Sequence, residues 1–119
     1  MLNNAVGFSE IYIVCGRTDL RYGIASLAGV LRSIDIENPA TAGTLYLFCG
    51  RRSDRIKGLV WEGDGFLLLY KKLVNGSFQW SRNASEVKSL TPKQLRWLME
   101  GLTIEPRKAV KEVSFEYMS

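Results

Sequence analysis

The chain has 119 residues and not one histidine. A serine such as Ser53 therefore has no imidazole to deprotonate it, and the common Cys/His zinc sites are excluded. Cysteine is nearly as scarce, with Cys15 and Cys49 alone, too few for a four-cysteine metal site. Both stand in apolar, strand-like segments, so buried reduced thiols are expected, with no metal and no cofactor. Long hydrophobic runs are also missing. The longest, 66–70, is far short of the ~20 residues that cross a bilayer, so no membrane partner is expected. Residues 1–10 contain no basic stretch followed by an apolar core, so no secretory leader is expected, and the cytoplasm is the expected location. No internal repeat, linker or low-complexity segment interrupts the chain.

What is present describes a globular domain. Apolar residues make up 46% and charged residues 24%, and the length fits one domain with an ordinary core. The charge is uneven. The formal net charge is +4 overall, and residues 50–82 alone carry seven basic side chains against three acidic ones. A localised positive surface suits a phosphate backbone or an acidic partner, or stands as a solvated face with no partner.

The pattern of elements follows from periodicity and punctuation. Residues 11–15 form a β-branched run ended by Gly16, a strand. Thr18 is placed to cap a helix near 19–35 whose stripe is Leu20, Ile24, Leu27, Leu31 and Ile34, with Asp19 in its first turn and Asn38-Pro39 after its end. Residues 44–49 are a second strand. Segments 55–62 and 66–73 flank Gly63-Asp64-Gly65 as a hairpin, and 66–70, apolar on both faces, reads as a central strand. Asn75-Gly76 is a strong type I′ turn signal, which pairs 66–74 with 77–82 and sets Leu73 opposite Phe78 and Lys71 opposite Trp80. Thr91-Pro92-Lys93-Gln94 has the form of a capping box opening a helix near 92–101, with Leu95, Leu98, Met99 and Leu102 on one face. A late strand at 113–117 is one reading of the end, a tail the other. The expected fold is a single α+β domain, a mainly antiparallel sheet with two flanking helices. It divides into an arm over 1–10, a domain over 11–105 and a tail over 106–119.

The segment from Gly50 to Lys57 carries the most pointed chemistry. Arg51 and Arg52 sit on a turn, and Arg55 and Lys57 project from one face of the following strand. If Gly63-Asp64 is a two-residue turn, Arg55 faces Lys72 and Lys57 faces Tyr70, forming a basic face interleaved with an aromatic ring, suited to a nucleic-acid backbone. If all three residues 63–65 form the turn, that cluster dissolves. Asp54 or Glu62 could instead neutralise these arginines. Arg51, Arg52, Arg55 and Lys57 are the candidate nucleic-acid contacts, with Lys71, Lys72 and Arg21 as additions. Arg21 either anchors a phosphate or pairs with Asp19. Trp61 and Trp80 are candidate anchors for a protein partner, against a core role. The carboxylates show no ligand spacing, and no catalytic residue is identified, so the chain is not expected to be an enzyme.

Several blocks together resemble the small accessory protein family of the bacterial insertion-sequence family sixty-six, the Orf2-like or TnpB proteins. These are distinct from the RNA-guided nuclease that shares the second name. The blocks begin with Ile11-Tyr12-Ile13-Val14-Cys15-Gly16-Arg17-Thr18-Asp19-Leu20-Arg21. They continue through Leu45-Tyr46-Leu47-Phe48, Gly50-Arg51-Arg52, Asp54-Arg55-Ile56-Lys57, Trp61-Glu62-Gly63-Asp64-Gly65-Phe66 and Tyr70-Lys71-Lys72-Leu73. Phe78-Gln79-Trp80, Leu90-Thr91-Pro92-Lys93-Gln94-Leu95 and Glu100-Gly101-Leu102 complete them. Two positions depart from the pattern: Ser81, where the family often has proline, and Gly58, where it often has a large apolar residue. The resemblance implies an accessory role in DNA transposition beside a separately encoded transposase that performs the strand chemistry. DNA contact through the basic middle third is the expectation added from charge. Docking on the transposase without DNA contact is the alternative.

Overall fold

The computed structural model describes residues 7–82 and 87–101. The apolar runs become strands β1 (Glu10–Val14), β2 (Thr44–Cys49), β3 (Arg55–Trp61), β4 (Phe66–Lys72) and β5 (Val87–Leu90), with helices α1 (Ile24–Ser33) and α2 (Pro92–Met99). One five-stranded sheet results, in the order β4-β3-β2-β1-β5. β1 and β2 run parallel, Ile11 beside Leu45 and Ile13 beside Leu47, and the other three pairings are antiparallel. The expected α+β domain with two helices is the observed one.

β2 lies at the centre, and all six of its residues are buried. Its alternation divides the core. Leu45, Leu47 and Cys49 join Ile11, Ile13, Ile56 and Val60 on one face, under Phe78, Trp80 and the α2 residues Leu95 and Leu98. Tyr46 and Phe48 join Val14 and Leu59 on the other face, under Leu27, Ala28 and Leu31 of α1. The capping box forms as expected: Gln94 N–H donates to Thr91 Oγ1 at 3.1 Å, and Thr91 N–H donates to Gln94 Oε1 at 2.8 Å. Gly58 is buried opposite Leu47, and a Cβ there would sit 3.2 Å from both Leu45 and Leu47, whose side chains occupy the space a larger residue would need. The β3 ladder with β2 runs through this position.

Three expectations are corrected. First, α1 starts at Ile24 with Gly23 as N-cap, not at Asp19 under a Thr18 cap. Thr18 N–H donates to the Cys49 carbonyl instead, and Asp19 turns inward on its own loop, accepting from Arg21 N–H at 2.9 Å. Residues 18–22 are spent on a turn before the helix begins, and the helix ends at Ser33, well before Asn38-Pro39. Ile24, at its exposed start, is 38% accessible.

Second, β4 is an edge strand, its residues half-buried or exposed, not the central strand its apolar run suggested. Third, residues 77–82 form no strand beside β4. The chain does reverse at Gly76, but Phe78 N–H donates to the Ser53 carbonyl, and the segment then crosses the sheet face. There Trp80 Nε1 donates to Val14 O at 3.1 Å, and Gly16 N–H donates to Ser81 O at 2.8 Å. Leu73 is therefore not opposite Phe78, nor Lys71 opposite Trp80. The crossing buries two aromatic side chains, each worth ~150–250 Å² of surface, which outweighs a ladder along an exposed edge. The reading of 113–117 as a strand, the tail over 106–119 and Leu102 of the α2 stripe lie outside the described residues, as does most of the arm over 1–10.

Candidate nucleic-acid interface

The two parallel strands carry the same ending, Cys15-Gly16-Arg17 just after β1 and Cys49-Gly50-Arg51 from the last residue of β2. Because the strands run parallel, Arg17 and Arg51 leave the same end of the sheet. The turn over 17–21 then folds onto the turn over 50–52. Gly50 makes this approach possible, because a Cβ there would lie 3.0 Å from Leu20 Cγ.

On the other side, β3 and β4 supply a wall. Glu62 N–H donates to the Gly65 carbonyl at 2.9 Å, closing a two-residue Gly63-Asp64 turn in which Gly63 takes a positive φ of 97°. The register is the first of the two alternatives open to the sequence: Arg55 faces Lys72, and Lys57 faces Tyr70.

These pieces enclose an open cleft of about 990 Å³. Among the described residues its lining includes Arg17, Arg21, Arg51, Arg52, Arg55 and Lys57, six cations against the one carboxylate of Asp19, together with the apolar side chains of Leu20 and Leu68. Tyr70 stands in the wall, 55% exposed, with Lys57 Nζ 5.9 Å from its ring centroid. Lys57 Nζ also donates to the Tyr22 carbonyl at 2.9 Å, which ties the wall to the loop before α1.

The cations differ in how firmly they are held. Arg21 is clasped by Asp19 through Nε at 3.0 Å and Nη2 at 2.7 Å. Those hydrogen bonds hold the Asp19 carboxyl down at about 2. Arg55 is paired with Asp54 at 3.0 Å, and the bond keeps Asp54 below the usual carboxylate range. Both pairings anticipated as alternatives to phosphate contact, Asp19 with Arg21 and Asp54 with Arg55, are made. The guanidinium groups of Arg51 and Arg52 are exposed on the turn. That turn is braced from below by Arg82, which donates to Gly16 O and Ser53 Oγ, each at 3.0 Å, and to Arg51 O at 3.5 Å.

Of the seven cations picked out in the sequence, five line the cleft. Lys72 lies at its margin beside Arg55, and Lys71 alternates to the opposite face, beside Ile56. Trp80 is 8% exposed, and its indole is committed to the core; Trp61 is half-buried, packed edge-on to Phe66 at 4.9 Å. Arg17 and Arg82 were not among the candidates. The repeated Cys-Gly-Arg ending carries the signal for Arg17, once the two strands are known to run parallel. The bracing role of Arg82 has no local signal, because its partners lie 29 to 66 residues away.

Cys15 and Cys49 are free and buried beneath this end of the sheet, and burial pushes the Cys49 thiol up. Among the described residues no group of three His, Cys, Asp or Glu side chains could hold a metal ion, and no helix is long and apolar enough to cross a membrane.

Comparison with known proteins places the chain among similar sequences. The profile of the family described as IS66 Orf2 like protein matches residues 9–109. An uncharacterized protein of Sinorhizobium fredii, y4hO, is 33% identical over 93 residues, covering 78% of this chain and 80% of its own length. A second from the same organism, y4jC, is 28% identical over 104 residues, covering 86% and 88%. No solved structure matches.

Proposed function

The chain belongs to the IS66 Orf2-like family, whose role is that of an accessory protein in transposition, and from that premise we propose that it contacts DNA through the basic cleft. One observation carries the reading: six cations from three separate chain segments converge on one concavity that holds a single carboxylate among the described residues. Concentrating like charge costs stability through self-repulsion, and an anion bound there relieves it. Arg51 and Arg52 are the leading contacts, since no hydrogen bond or ion pair ties either guanidinium to another described residue. Such groups grip phosphates and give affinity and register without reading bases. The strand chemistry falls to the separately encoded transposase.

The test is DNA binding as a function of salt. The variant Arg17→Ala/Arg51→Ala/Arg52→Ala leaves Arg55 in place, because Asp54 already holds it. Losing up to three phosphate contacts should make the slope of log affinity against log salt shallower by ~2–3 units. The loss should be equal on element-end and unrelated DNA, and thermal melting should be unchanged, since all three side chains are exposed. An unchanged slope in the folded variant removes these arginines from the interface. Absence of any DNA binding at low salt, with or without transposase, moves the function to docking on the transposase, with Trp61 the remaining exposed-side anchor.

A further inference from the structure

The shape and lining of the cleft go further than its charge. A duplex keeps its bases inside grooves, the wider about 12 Å across, and is read by a helix or ribbon that protrudes into them. Here the basic surface is a hollow. Its walls carry an exposed aromatic ring, Tyr70, and its floor carries Leu20 and Leu68, groups that a phosphate backbone has no use for. Tyr70 is more than half exposed within β4. Lys57 approaches the ring, and the Tyr70 side chain also meets Arg55. Cations flank it on the same sheet face, Lys57 opposite and Arg55 and Lys72 two rungs along the ladder. Strands are about 4.8 Å apart, so a base stacked on the ring would place its own phosphate within reach of these side chains.

We infer that the cleft takes an unpaired single strand of DNA, with a base stacked on Tyr70, in preference to a duplex. This rests on the phosphate-gripping role proposed above and names the form of DNA that fills the site. Stacking on an aromatic side chain is indifferent to base identity, so the preference is for strandedness rather than sequence.

Fluorescence anisotropy with a labelled oligothymidylate about a dozen nucleotides long, within the usual single-strand site sizes, is compared with a blunt duplex of equal length. The single strand should bind more tightly. Tyr70→Ala should weaken single-strand binding between about fivefold and a hundredfold and leave duplex binding unchanged, while Tyr70→Phe, which keeps the ring, should bind as the parent does. Tyr70→Leu, which retains apolar cover on β4, replaces the alanine variant if that variant melts early. Duplex binding as tight as single-strand binding, or a Tyr70→Ala effect that is equal on both or absent, overturns the inference. The phosphate reading then still stands provided the triple arginine variant weakens both ligands. If neither ligand binds at low salt, the phosphate reading falls and this inference falls with it.

Discussion

The two faces of the sheet are made by the same strands and finished in opposite ways. One is sealed: Phe78 and Trp80 cross over it, and Leu95 and Leu98 of α2 complete the cover. The other is only part covered, because α1 spans Val14, Tyr46, Phe48 and Leu59 and leaves Arg55, Lys57 and Tyr70 outside. Alternation along β3 sharpens the contrast, sending Ile56 and Val60 to the sealed side and Arg55 and Lys57 to the open one. The basic cleft is thus the uncovered remainder of a core face, with polar side chains at positions where the neighbouring strand has apolar ones. Stability and binding are separable because each belongs mainly to a different side.

The largest effect should come from the sealed face. Trp80→Ala empties a core site and removes the indole hydrogen bond to the Val14 carbonyl, so urea unfolding should show a loss of ~3–5 kcal/mol. The salt slope of DNA binding by the folded fraction should be unchanged. A changed slope would mean that the two faces are coupled.

A smaller effect of opposite sign is expected next door. Ser81 Oγ is buried and has no hydrogen-bond partner among the described residues. Ser81→Ala removes that unsatisfied hydroxyl while keeping the backbone bond from Gly16, and should gain up to about 1 kcal/mol, a rise of a few degrees in melting temperature. A fall in melting temperature would show that the hydroxyl has a partner in the folded protein.

On the open face the smallest effect is a titration. Asp19 is held at about 2, below its ordinary 3.8, by the hydrogen bonds from Arg21. A carboxyl lowered on folding contributes its stability above the unfolded pKa and loses it as pH falls through the folded one. The stability this clasp contributes should therefore fall between about pH 4 and 2, and carboxyl NMR shifts of the folded protein should place the Asp19 midpoint at about 2. Arg21→Ala should return the Asp19 titration to the ordinary carboxylate range. An unmoved midpoint in that variant would show that Arg21 is not the cause.

Much of this architecture was legible in residues that act locally. Six successive apolar or β-branched positions make β2 a buried strand wherever it is placed, and Thr91 with Gln94 closes a capping box from within one turn of chain. The Gly63-Asp64 turn needs no distant partner either, and once it holds two residues the ladder of Arg55 with Lys72 and Lys57 with Tyr70 follows by counting. Local information fails where two local solutions compete. Asn75-Gly76 reverses the chain as its chemistry requires, yet which surface the returning segment meets depends on where Phe78 and Trp80 lose most water, and that surface is assembled from β1, β2 and β3. The same holds for the helix predicted from Asp19: the apolar spacing of Leu20 was genuine, but packing against Gly50, 30 positions on, took Leu20 out of the stripe. The cleft is the clearest case. Charge on Arg51, Arg52, Arg55 and Lys57 was written in the sequence, while their convergence with Arg17 and Arg21 required β1 and β2 to run parallel. No pattern within either strand encodes that choice, because it is made by the crossing of the chain and the burial it completes.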